Sequence, residues 1–281
     1  MIPEGHHGGV IATAARLDFA IGPVPGSVAH GYYGSPKVTS PAGGTVEQQV
    51  QAKTGPGRSL RIAVVLLVAA SGALESVSFL GLDRVFAGVV TSNFALLGMA
   101  VGRGEAVGVK AAVLALAGFG VGALVVAWGT RGRVTADTHW PRHIMTVLGA
   151  EAVLLAVGAL AWGLAGGMPG AATRDVLQFG AALAMGSQSA AMVAAGEAAA
   201  PTTYLTGTLA TYIVKGIGAG RPGVWVPLRF IGLIAGAALS AALLKEARAW
   251  AALPPVILML CAIAAACTPL AARRRGSSGP S

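Results

Sequence analysis

The chain has 281 residues, 54% of them hydrophobic and only 11% charged. Soluble domains carry about a quarter charged residues, so this composition excludes an ordinary water-soluble domain and indicates a membrane protein. The formal charge of +9 comes from Lys and Arg flanking apolar runs, as membrane topology demands, and no basic run is interleaved with aromatics as nucleic-acid binding requires.

Residues 1–57 stand apart. Seventeen of them are Gly or Pro, no helical or strand period persists, and such a stretch cannot bury enough apolar surface to offset its ordering entropy. A disordered tail is expected. It lacks the basic start and continuous apolar core of a signal peptide, and His6-His7 has no partner within it.

Eight apolar runs follow: 62–80, 85–102, 107–129, 144–166, 176–196, 202–220, 224–244 and 251–272. A bilayer span needs about 20 apolar residues. Six runs meet this comfortably. The second and sixth are interrupted by polar triplets and glycines, and the sixth also holds Lys215. The 41 glycines suit close helix approach in lipid, and the small-residue faces they form could also pair two copies of the chain.

The runs repeat at an offset of about 114 residues. Run one matches run five, run two matches run six, and Gly118-x-x-x-Gly122 in run three resembles Gly232-x-x-x-Gly236 in run seven. The expected architecture is an all-α, polytopic membrane domain over residues 58–272. It would consist of two related halves, about 60–166 and 174–272, followed by a basic tail, 273–281. Lys53, Arg58 and Arg61 precede run one and Arg273-Arg274-Arg275 follow run eight, so both termini are expected in the cytoplasm. Six full spans with two short or broken helices are expected. Eight spans are the alternative, because Arg103 and Lys110 argue for it while Arg131, Arg133 and Arg142 argue for six.

Ionisable or polar groups inside an apolar run are functional suspects. Glu75 lies well inside run one, with Ser71 and Ser78 on the same helical face. A proton or cation site is one reading, because burial penalises the charged carboxylate; a structural carboxyl is the other. Gln188 and Ser189 occupy the equivalent place in run five. Thr91-Ser92-Asn93 and Thr206-Gly207-Thr208 could line a cavity or could serve as hydrogen-bonding glue between helices. Gly207 allows departure from helix. Glu151 in run four and Arg229 in run seven could form a buried ion pair or face a cavity separately. Asp83 and Arg84 fall between runs one and two.

No metal or cofactor pattern emerges. Cys261 and Cys267 are six apart and do not share a helical face. His139 and His143 are separated by Pro141, which argues against a helical pair. HExxH, GxSxG and P-loop patterns are absent.

The pattern Gly72-x-x-Glu75-Ser76, Phe79-Leu80, Val85-Phe86, Thr91-Ser92-Asn93, Leu96-Leu97-Gly98 resembles the first signature of the YoaK-like bacterial membrane proteins. Gly186-x-Gln188-x-Ala190 with Thr202 to Leu209 is similar to the second. The resemblance covers roughly residues 60–272. Here Glu75 replaces the family's usual Asp, Ser92 its usual Gly, and Met192-Val193-Ala194 stand where one or two Arg are usual. The resemblance implies a multi-pass protein of the bacterial inner membrane and no particular chemistry. The functional expectation is a small secondary transporter or channel-like protein for a small solute or ion. The alternatives are an embedded scaffold or, less simply, an intramembrane enzyme.

Overall fold

The computed structural model describes residues 57–131, 140–196, 202, 205–219 and 223–276. Eight helices follow in order: α1 (Arg58–Ser76), α2 (Val90–Arg103), α3 (Ala106–Gly129), α4 (Arg142–Leu164), α5 (Ala171–Ala194), α6 (Leu205–Ala219), α7 (Trp225–Glu246) and α8 (Leu253–Gly276). A π-helical turn, Val77–Gly81, extends α1, and a 3₁₀ turn, Arg248–Trp250, leads from α7 to α8. No strand occurs among the described residues. The expected tail lies outside them except for Gly57, as do His139 and residues 277–281. Arg273 to Arg275 continue the backbone of α8.

Six of the helices, α1 with its π turn, α3, α4, α5, α7 and α8 with the 3₁₀ turn, are long and apolar enough to cross a membrane. The other two have 14 and 15 residues. At about 1.5 Å per residue they reach little over 20 Å, short of the ~30 Å hydrocarbon core. The architecture is therefore six spans plus two short helices.

Polarity is arranged for lipid. Leu124, Val125, Val153, Val157 and Leu160 are large, apolar and outward-facing, whereas Asn93, Gln178 and Gln188 are almost fully buried. Cys261 and Cys267 are free thiols on the exposed face of α8.

Two tight helix pairs hold the bundle: α1 packs on α7, and α3 packs on α5. Both crossings are built from glycine, and they correspond position by position. A Cβ on Gly72 would strike the Leu233 carbonyl, and one on Gly186 the Phe119 carbonyl. A Cβ on Gly236 would strike the Ala69 carbonyl, and one on Gly122 the Leu183 carbonyl. Gly232 lies against Val65 as Gly118 lies against Phe179. Each contact recurs 114 positions on with the partners exchanged. The first helix of each half thus packs on the third helix of the other. The glycines of these two crossings pack helices within one chain.

The ends of the helices sort by charge. Asp83, just beyond α1, lies 3.5 Å from Arg174 at the start of α5. Lys110 at the start of α3 lies 2.8 Å from Asp175, and Arg103 at the end of α2 lies 2.9 Å from Glu105. These residues share one end of the bundle, with Lys245 and Glu246. At the opposite end Arg61 stacks on the Trp225 ring, 5.6 Å from its centroid. Arg58, Arg131 and Arg142 also lie there, and no acidic residue does among the described positions.

This placement shows that α2 does not cross. The chain leaves α1 at the end that carries these ion pairs, turns back inside as far as Glu75, and α2 returns to that same end to meet α3. Six residues separate Glu75 from Gly81, so the chain re-enters by about 9 Å. In the second half Gln188, likewise six residues before Ala194, reaches the chain just ahead of α6, which leads back to the start of α7. With three crossings in each half, the two halves stand in opposite orientations.

Candidate functional site

A cavity of about 1490 Å³ lies between the α1–α7 pair and the α3–α5 pair. It exceeds the ~300–1,000 Å³ of ordinary small-molecule sites. Both halves line it: Glu75 and Thr91 from the first, Ser189, Thr202 and Thr206 from the second. Most of the remaining wall is aliphatic or aromatic.

Among the described residues, Glu75 is the only acid in this wall. Its Oε2 accepts the Ala87 N–H at 2.8 Å and its Oε1 the Gly88 N–H at 2.7 Å. The residue preceding α2, Val89, supplies no side-chain cap. The carboxylate from α1 therefore covers donors that the re-entrant turn would otherwise leave bare, at the positive end of the α2 dipole. Gly88 is required for this contact, because a Cβ there would lie 2.9 Å from Glu75 Oε1 and 3.1 Å from the Met185 Cβ.

The rest of the turn is pinned from within. Asn93 accepts the Phe86 N–H at 2.9 Å and donates to the Phe86 carbonyl at 2.7 Å. The Ser78 hydroxyl, in the π turn, donates to the Val85 carbonyl at 2.6 Å and lies 2.9 Å from the Gln178 amide. Arg84 adopts a left-handed conformation, φ 58°, at the tip. In the second half Gln188 donates to the Thr202 hydroxyl at 2.8 Å and to the Ser71 hydroxyl at 3.2 Å. Here the amide ties the turn down as a donor, whereas the Glu75 carboxylate does so as an acceptor.

The two triplets divide. Thr91 and Thr206 face the shared cavity. Ser92, Asn93, Gly207 and Thr208 do not line it, and Asn93 is committed to the Phe86 backbone. Gln188 is fully buried behind the wall rather than part of it. The glycine at 207 has open space around it and lies within helical backbone, so no break occurs at that position. Glu151 and Arg229 form no ion pair. Both Glu151 oxygens and the Arg229 Nε lack a hydrogen-bond partner, the two residues belonging to helices that do not pack closely on each other.

Several site residues escape the sequence reading. Thr202 was readable from the repeat: 114 positions separate it from Gly88, so both stand in the turn that precedes a short helix. Phe79 and Phe86, stacked with centroids 4.7 Å apart, line the cavity together with Phe119 and Phe230. Only the three-dimensional arrangement brings these four rings to one place. Arg131, at the mouth, lies 5.9 Å over the Trp128 ring.

Among proteins of known sequence, the family model described as "Protein of unknown function (DUF1275)" matches residues 63–265. The UPF0700 transmembrane protein YoaK of Bacillus subtilis (strain 168) is 32% identical over 148 residues, which is 53% of this chain and 63% of that protein. The match spans a little under two thirds of that relative's length. No solved structure matches.

Proposed function

We propose a function from one premise: this chain belongs to the DUF1275 family, proteins of unknown function. It is a multi-pass membrane protein, and we read it as a small secondary transporter whose solute binds in the cavity between the two halves. The observation that carries this reading is the shared cavity itself, which holds one carboxylate, Glu75, beside a re-entrant helix start. Inverted halves with interrupted helices around a central site are the architecture from which alternating access is built. The mouth at Thr130 and Arg131 belongs to the arginine-bearing end. By the positive-inside rule that end is cytoplasmic, so the termini are inside and the cavity opens inward. The membrane is read as the bacterial cytoplasmic membrane, and no reaction chemistry is assigned.

The rival is an embedded scaffold, and one observation favours it: Asn93 and Gln188 are engaged in hydrogen bonds inside the bundle. A thermal-shift panel of metabolites and ions on the purified protein, followed by uptake into proteoliposomes, separates the two. A transporter yields a stabilising ligand that is also taken up. Glu75→Gln, which keeps size and shape, should cut that uptake by about tenfold or more, as expected for loss of a charged contact of about 1.4 kcal/mol or more. A panel without a single stabilising ligand, together with vesicles that take up nothing, would leave the scaffold.

A further inference from the structure

The cavity's chemistry narrows what it accepts. An anion is disfavoured, because Glu75 is the only acid among the described residues of a mostly apolar wall and like charges repel strongly where water is scarce. An anion would also need donors, and two of the wall's hydroxyls have given theirs away: Ser71 donates to the Leu67 carbonyl at 3.0 Å and Ser76 to the Ala237 carbonyl at 2.8 Å. A sugar-like solute, polar all round, is a poor match for a wall that is mostly aliphatic or aromatic. A bare metal ion fails as well, since hard cations take about six oxygen ligands and the wall offers one carboxylate among rings and aliphatic chains.

What remains is a ligand with one positive charge and a large apolar body. Glu75 accepts the backbone N–H groups of Ala87, Gly88 and Val89, and an ionised carboxylate has about four acceptor positions, so it is not saturated. Phe79, Phe86, Phe119 and Phe230 surround the same space, and ring faces attract organic cations. The other charged residue among the described wall residues, Arg131, stands at the mouth over the Trp128 ring, away from Glu75. We propose that the cavity binds a monovalent organic cation with an apolar, ring-sized body, its charge beside Glu75 and its body among the four phenylalanines. This rests on the transport reading of the same site.

The test uses the full chain, purified in detergent, with labelled tetraphenylphosphonium as the probe and its isostere of opposite charge, tetraphenylborate, as the control. The phosphonium should bind saturably and the borate at least about tenfold more weakly, a difference of about 1.4 kcal/mol or more. Glu75→Gln should weaken phosphonium binding by a similar factor and narrow the gap to the borate. Phe86→Leu, which keeps apolar volume and removes a ring, should weaken the phosphonium several-fold, in the range of one cation–π contact. Phe86→Leu also decides the matter if Glu75→Gln does not fold. Equal binding of both ions overturns the proposal, as does unchanged phosphonium affinity in the folded variants. Saturable binding of the borate or a neutral solute in place of the phosphonium removes the cation assignment and leaves the transport reading standing. Absence of any ligand and of any uptake removes both.

Discussion

Asn93 shows how one side chain can hold an irregular segment inside a membrane. Lipid offers no water to satisfy backbone polar groups, so each must find a partner in the protein. The amide of Asn93 gives Phe86 both an acceptor and a donor, as a neighbouring strand would. Asn93→Ala should leave both Phe86 groups bare at a half-buried position. At roughly 1–3 kcal/mol for each unsatisfied group, the loss is about 2–6 kcal/mol, measurable as a fall in the midpoint of thermal unfolding in detergent; an unchanged midpoint would mean that water enters the turn. The sequence marked Glu75 and Asn93 as suspects on sound grounds, since both are polar within apolar runs. It could not divide their roles, because a cavity-facing group and a backbone clasp look alike until the turn between residues 82 and 89 is seen to fold back. Glu151 was singled out on the same grounds and finds no hydrogen-bond partner among the described residues.

At the scale of helices, glycine position matters more than glycine number. Gly122 and Gly236 each touch the backbone of a facing helix, whereas Gly98 and Gly120 face open space. Gly122→Ala and Gly236→Ala should push their helix pairs apart and cost about 1–3 kcal/mol each, the usual penalty of overpacking. Gly120→Ala should be neutral or stabilising by about 0.5–1 kcal/mol, since alanine favours helix. Unfolding midpoints of the four variants, with Gly98→Ala as a second control, check this; equal effects at positions 120 and 122 would contradict the packing account. The number of helices and the short lengths of the second and sixth were legible from hydropathy and from the triplets. The exchange of partners between halves was not, because a repeat reports that two segments are alike and is silent on which segments touch.

For the molecule as a whole, that exchange makes the halves interdependent. Helix α1 finds its main partner in α7, and α3 finds its own in α5. A chain cut in the loop at Gly166-Gly167, where both residues have left-handed φ values of 60° and 76°, should therefore behave in one way. Either fragment alone should aggregate or be degraded, and the two co-expressed should co-purify as a folded complex. A stable, monodisperse single half would refute the interdependence. The two short helices settle the span count that loop charges left open. The crossing count also bears on ancestry. If the halves arose by copying one unit, an odd number of crossings means that the second copy was threaded upside down. The uncopied ancestor therefore had to enter the membrane either way up and to join with its own inverted twin. Gene fusion then made that ambidextrous pairing permanent and freed the two copies to diverge, an acid kept at 75 in one and a serine at 189 in the other.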